Sequence, residues 1–227
     1  MTFSPGARSR LTAHDLARFT GDTLFDRIGR VVCRVGRLPR KELYEAWEVA
    51  RRVRRWCRGG RVLDVAGGHG LLAHVMLLLD DASPQALVID PAPPPSAAAL
   101  HDAFVIEWPR LQGRVARIAE DISHVTLEAT DLVVSSHACG ALTDRILDAA
   151  VAASARVGVL PCCHDLARCD AGPLAGWLDG PMAIDAMRAM SLASRGYRTR
   201  TQLIPRAITP KNRLLIGIPP PVCRQRR

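Results

Sequence analysis

The chain has 227 residues, 48% hydrophobic and 23% charged, a globular composition with apolar material for the core of one ordinary domain. Its formal charge of +9 is concentrated: residues 1–60 hold 14 Lys and Arg against 6 Asp and Glu, and residues 61–227 hold 17 against 16. No apolar run nears the roughly 20 residues of a membrane span, so membrane-embedded, fibrous and disordered classes are excluded, and the opening MTFSPGARSRLTAHD lacks a secretory signal's apolar stretch, so no such signal is expected. Residues 1–38 read as a basic helical N-terminal extension, with helices near Ala13–Phe19 and Thr23–Val35 before the break at Leu38-Pro39. Residues 39–220 read as the main domain and 221–227 as a basic tail. In Arg40–Arg58, Leu43, Trp47, Ala50 and Val53 keep the three-to-four spacing of a helix, which Gly59-Gly60 ends.

From Arg61 short apolar runs alternate with helical stretches. Strands are expected at Arg61–Ala66, Ala86–Asp90, Arg114–Ile118, Asp131–Ser135 and Arg156–Leu160. Helices are expected at Leu71–Leu79, Ala97–Trp108, Thr143–Ala153 and Met182–Arg195. Arg198–Pro205 and Arg213–Ile218 close the chain as a strand pair. Strand and helix alternating in this way predict an α/β fold, a mostly parallel sheet with helices on both faces. In the helix after residue 182, Ile184, Met187, Met190 and Leu192 share roughly one face and read as core.

The first strand-to-helix turn is Asp64-Val65-Ala66-Gly67-Gly68-His69-Gly70-Leu71, where glycines let a ligand approach the backbone. GHGLLA from Gly68 fits the dinucleotide fingerprint, so NAD is one reading. Asp64 argues against a pyrophosphate there and suits the ammonium of S-adenosylmethionine. Asp90, followed by Pro91, ends the second strand where a carboxylate can hold ribose hydroxyls. Asp121 and Ile122 follow the third strand, where an adenine amino group would be met. Three acids at three successive strand ends favour S-adenosylmethionine, although such acids also serve as helix N-caps. Asp64, Ala66, Gly67, Gly68, Gly70, Leu71, Asp90, Pro91, Asp121, Ile122, Ser136 and His137 are therefore the candidate cofactor-binding residues.

The fourth strand runs into Ser135-Ser136-His137-Ala138-Cys139-Gly140 and the fifth into Pro161-Cys162-Cys163-His164-Asp165. Ligands of open α/β sheets lie beyond the carboxyl ends of the strands, so the two His/Cys clusters would face the methyl donor. With the late Thr209-Pro210-Lys211-Asn212, these segments resemble a class I methyltransferase-domain family over roughly residues 40–218. Its relatives include bacterial proteins of unassigned substrate, an animal protein fused to a glutathione-transferase-like domain, and tRNA acceptor-stem 2′-O-methyltransferases. The resemblance implies a Rossmann-like, seven-stranded, mostly parallel sheet with an antiparallel C-terminal hairpin, S-adenosylmethionine as cofactor, and RNA as acceptor and partner. The sequence carries no Cys/His zinc-finger segment of the tRNA enzymes, and Ala66 stands where many methyltransferases have glycine, a change its small size makes minor.

His137, Cys139, Cys162, Cys163, His164, Lys211 and Asn212 are the candidate catalytic residues. Proximity and alignment drive methyl transfer, with His137 or His164 as a modest base, Lys211 the nearby lysine and Asn212 orienting the acceptor. Another reading makes Cys139 or Cys162 a nucleophile, as in cytosine C5 methyltransferases, whose flanking residues differ. A third reading is metal, since Cys139, Cys162, Cys163, His164 and Cys169 include enough ligands for a tetrahedral zinc site; no metal site is expected, because adjacent Cys162 and Cys163 would alternate on a strand and could not easily both face one ion. Glu45, in Lys41-Glu42-Leu43-Tyr44-Glu45, precedes the first strand where this class folds a helix over the donor; a solvated helix face is its simpler role.

The basic N-terminal quarter adds to the expectation of RNA, although with only Lys41 and Lys211 as lysines an arginine-favouring coding bias explains part of the charge. A small-molecule or protein methyltransferase, and a non-catalytic binding protein on the same scaffold, remain alternatives. Seven cysteines in no secreted-domain spacing predict reduced thiols and a cytoplasmic protein.

Overall fold

The computed structural model describes residues 4–221, so most of the tail expected at 221–227 lies outside the described residues. After a 3-10 turn at Ala13–Arg18 come α1 (Leu24–Val35), α2 (Arg40–Val53), β1 (Val62–Val65), α3 (Leu71–Leu79), β2 (Ala86–Ile89) and α4 (Ala97–Glu107). Then follow β3 (Val115–Ile118), β4 (Leu132–Ser135), α5 (Ala141–Ala152), β5 (Arg156–Val159), α6 (Gly180–Ser194), β6 (Arg198–Leu203) and β7 (Arg213–Ile218). Helix ends follow local chemistry: Thr23 accepts from the Asp26 amide to start α1, Gly36 in the left-handed region ends it, and Asp179 caps α6 through Met182. Helix α2 stops at Val53 rather than Arg58: the bonds of Arg55 and Trp56 tighten to the third residue back, and Cys57 is buried in the core as the chain turns toward β1.

The seven strands lie in the order β3-β2-β1-β4-β5-β7-β6. All neighbours pair in parallel except β5–β7 and β6–β7, which are antiparallel, as expected of the class I fold. Side-chain alternation divides the core. Val62, Val88, Leu132 and Val134 face the layer of α1 to α4, whereas Leu63, Val133, Val157 and Val159 face the other, with Ile146 of α5 and Leu192 of α6. Met190, expected in the core, is exposed.

Residues 11–38 belong to the first of these cores. Leu11, Ile28, Val31 and Val32 are almost fully buried in one cluster with α2, α3 and the sheet. Much of the local charge is used internally: Arg27 and Arg34 both bridge Glu107 of α4, Arg51 and Arg52 bridge Glu48, and Arg30 donates to the Phe19 and Gly21 carbonyls. Arg198 and Arg200, at the start of β6, stack over Trp56 just past the end of α2. These cations therefore lie beyond the end of α2 opposite Glu42, and Glu42 to Val53 alone spans about 16 Å at 1.5 Å per residue.

Candidate active site

The chain winds β1-β2-β3 to one side, then crosses to start β4 on the other side of β1, which makes the gap between β1 and β4 the switch point where such sheets bind ligands. A cavity of about 250 Å³ opens there. The turn after β1 forms one wall with Ala66, Gly67, Gly68, His69 and Leu71, and the end of β4 forms another with Ser136 and His137. Glu42 and Ala46 of α2 close it from above. Among the expected cofactor residues, the structure thus brings together Ala66, Gly67, Gly68, Leu71, Ser136 and His137.

The turn is strained and braced. Ala66 has φ 54°, so its departure from glycine matters for backbone conformation rather than for size. Gly68 and Gly70, at φ 50° and 76°, share that region. Asp90 accepts from the Gly68 amide at 2.8 Å and from the Ala92 amide at 3.0 Å, holding the turn against the end of β2. From β3, Arg117 donates to the carbonyls of Gly68 and His69, the latter at 2.9 Å.

The remaining expected cofactor residues stand elsewhere. Asp64 is buried behind the turn and accepts from the Ala73 amide of α3 at 3.1 Å, so it holds α3 rather than facing the cavity. Burial pushes its carboxyl up to about 7. Gly70 shapes the turn from beneath, and Pro91 is exposed off the cavity, whose wall is formed by Pro94. Asp121 caps the short turn at Ile122–His124, accepting from the Ser123 amide and hydroxyl and pairing with Arg145; those bonds hold its carboxyl at about 2. Ile122 is core.

Three groups that the sequence reading did not single out matter here. Glu42 lines the cavity, and burial, followed by the neighbouring Glu45, raises its carboxyl to about 7. His69 lies 2.9 Å from the Ser96 hydroxyl. Arg117 braces the turn from a different strand. The helical repeat of α2 put Glu42 at its start, but nothing local says which ligand that turn covers. Glu45 is buried rather than solvated, 2.6 Å from Lys41, and does not line the cavity.

His137 is neutral across the physiological range: burial, reinforced by Lys41, lowers its pKa to about 4. It can accept a hydrogen bond and hold an acceptor, and it is a weak base. Two residues on, β4 and β5 being neighbours, Cys139 and Cys162 meet with their sulfurs 2.9 Å apart. The sulfurs of Cys139, Cys162 and Cys163 all lie within 4.8 Å of one another. The alternation argument against a shared centre fails because β5 ends at Val159 and Cys162-Cys163 lie in the loop beyond it. Lys211 reaches to 3.6 Å from the Cys163 sulfur. Burial and the neighbouring thiols push the Cys162 thiol up, whereas Cys163, despite burial, is lowered by those thiols and Lys211.

His164 and Asn212 are committed to structure. The His164 side chain is 2% exposed and donates Nε2–H to Asp185 at 2.8 Å, so it is not placed to take a proton from an acceptor. Asp185 also pairs with Arg213 and Arg188, and Arg188 with Asp144. Asn212 donates its amide to the Ile204 carbonyl at 2.8 Å, fixing the β6–β7 turn.

The sequence model of a methyltransferase-domain family matches residues 41–169, over half of the chain. No curated protein matches the sequence. Among solved structures, an O-methyltransferase family protein from Burkholderia thailandensis is similar at 19% identity and a TM-score of 0.52, covering 90% of this chain and 62% of its own. The S-adenosylmethionine-dependent methyltransferase SibL, in its apo form, is similar at 21% identity and a TM-score of 0.52, covering 93% and 66%. The chain thus spans less than two thirds of either relative's length, and at these identities the likeness is one of fold. Sheet order by itself leaves the ligand open, since doubly wound folds serve many cofactors, but the family match removes that freedom. The chain belongs to the methyltransferase-domain family, with the class I fold that takes S-adenosylmethionine.

Proposed function

We propose that the protein transfers a methyl group from S-adenosylmethionine to RNA. The cavity fits the donor chemically: Glu42 is a carboxyl that burial and Glu45 raise, and S-adenosylmethionine brings an ammonium and a sulfonium that favour its ionised form. The turn from Ala66 to Leu71 offers close backbone approach, and Asp90, which accepts from the Gly68 amide, ends the strand at which this fold commonly holds ribose hydroxyls. When bound, the donor supplies an electrophilic methyl carbon. The chain's part is to align the acceptor's lone pair and exclude water, with neutral His137 holding the acceptor and a proton passing to it or to solvent.

The observation that favours RNA is the basic rim. The backbone of residues 7–11 is bonded to residues 38–41, which places exposed Arg8 and Arg10 beside the start of α2. The charge of Arg10 reaches His69 in the cavity wall. Lys41 stands near His137, Lys211 beside Cys163, and Arg145 and Arg168 line an open cavity of about 430 Å³ with Cys139 and Cys163. Lys41, Arg145 and Arg168 share their charge with Glu45, Asp121 and Asp165, and Arg8, Arg10 and Lys211 add cations that suit a phosphate backbone.

The test is transfer of labelled methyl from S-adenosylmethionine to total cellular RNA, with a panel of small acceptors in parallel. RNA labelling is expected, and the double variant Arg8→Glu, Arg10→Glu is expected to weaken RNA binding and flatten its salt dependence. Unlabelled RNA with a labelled small acceptor would refute the RNA assignment.

A further inference from the structure

We propose that Cys139, Cys162 and Cys163 bind one zinc ion through three thiolates, leaving the fourth position to a ligand from solution. The proposal is independent of methyl transfer. Zinc holds sulfur at about 2.3 Å in a tetrahedron, whose edges are then about 3.8 Å. The three sulfurs all lie within 4.8 Å of one another, and the pair at 2.9 Å opens by about 0.9 Å through side-chain rotation to reach that edge. Thiolate donors select zinc and other soft ions over magnesium or calcium.

The backbone beneath the thiols is held by hydrogen bonds. Cys139 and Cys163 pair as an isolated parallel bridge, with the Gly140 amide bonded to the Cys163 carbonyl at 3.0 Å. Gly140 has φ 55°, a conformation that a side chain would strain, and buried Arg188 donates to its carbonyl at 3.0 Å while pairing with Asp144. The Ala138 amide donates to Ser135 Oγ at 3.1 Å, and Thr143 donates to the Ala138 carbonyl at 2.9 Å. Ligand loops fixed in this way bind metal without a large ordering cost. Three thiolates around Zn²⁺ leave one net negative charge, and Lys211, 3.6 Å from Cys163, compensates it.

Among the described residues the chain supplies no fourth donor to this cluster. His164 is turned into α6 on Asp185, and Cys169 is buried against Arg188. Cys139 and Cys163 are exposed and face the open cavity with Arg145 and Arg168, so the outward position is accessible to water, a thiolate or an anionic group. Three protein ligands plus one exchangeable position is the arrangement of reactive rather than purely structural zinc sites.

The full chain, purified reduced and without chelators, should carry one equivalent of zinc. Cobalt(II) should replace it with a sulfur-to-metal charge-transfer band. Cys139→Ser and Cys162→Ser should each abolish that band and lower zinc affinity by at least about tenfold, with far-ultraviolet circular dichroism unchanged. Cys33→Ala, in the distant α1 core, should keep both. Metal-free protein with all three thiols reduced and no cobalt band would overturn the proposal, as would a band that survives Cys162→Ser. A Cys139–Cys162 disulfide forming in air despite added zinc would overturn it equally, since a bound ion shields its thiolates.

Discussion

At the residue scale, the turn after β1 concentrates the energetics. Ala66 at φ 54° occupies a region that costs a side-chain-bearing residue about 1–2 kcal/mol, partly offset by the extra unfolded-state freedom of glycine. Ala66→Gly should therefore raise stability by roughly 0.5–1 kcal/mol, read as a shift in denaturant midpoint. Glu42 gives a pH prediction. Its folded pKa of about 7 lies above the ordinary value of 4.5, so between those values the folded state keeps a proton that the unfolded chain releases. Its contribution to stability therefore falls as pH rises through that window. A cationic donor favours the ionised form, so S-adenosylmethionine should bind more tightly as pH rises from about 6 to about 8. Calorimetry on Glu42→Gln should find that slope gone and affinity at the higher pH about tenfold weaker, the scale of one charge-assisted bond. A slope that persists in the variant would assign the linkage elsewhere, with Asp64 the next raised carboxyl. The glycines were legible from the sequence because turn chemistry is local. Glu42 and Arg117 were not, since each reaches the turn from another element.

At the element scale, α2 lies close on the sheet because β5 offers it a glycine. A Cβ at Gly158 would sit 2.7 Å from Val53 Cγ2. Gly158→Ala should cost about 1–3 kcal/mol through overpacking, measured by chemical denaturation, and should weaken donor binding if it lifts α2 and Glu42 from the cavity. The strands and helices themselves were readable within a residue or two from β1 onward, because β-branched runs and glycine or proline breaks are local signals. The roles of residues just past the strand ends were harder to read. Asp121 turned into a cap, His164 turned into α6, and Cys162-Cys163 turned together once the pleat no longer governed them.

At the scale of the whole molecule, the basic N-terminal stretch is load shared with the core rather than an arm hung from it. Leu11 is fully buried, and Leu11→Ala should cost about 2–5 kcal/mol in an equilibrium unfolding measurement. Deleting residues 1–38 should prevent folding, because Phe19, Ile28, Val31 and Val32 leave with Leu11. Surface charge reversal at Arg8 and Arg10 is therefore the informative way to test nucleic-acid contact.

Local chemistry by itself determined the alternation of strand and helix, the glycine turn and hence the sheet that positions a donor at its switch point. Periodicity and turn residues act over a few positions, so one chain suffices to read them. Only the tertiary structure decided which acids face the cavity, which are caps, and that three cysteines share one small volume. Those outcomes depend on strands distant in sequence becoming neighbours, and β4 beside β5 is what brings Cys139 to Cys162.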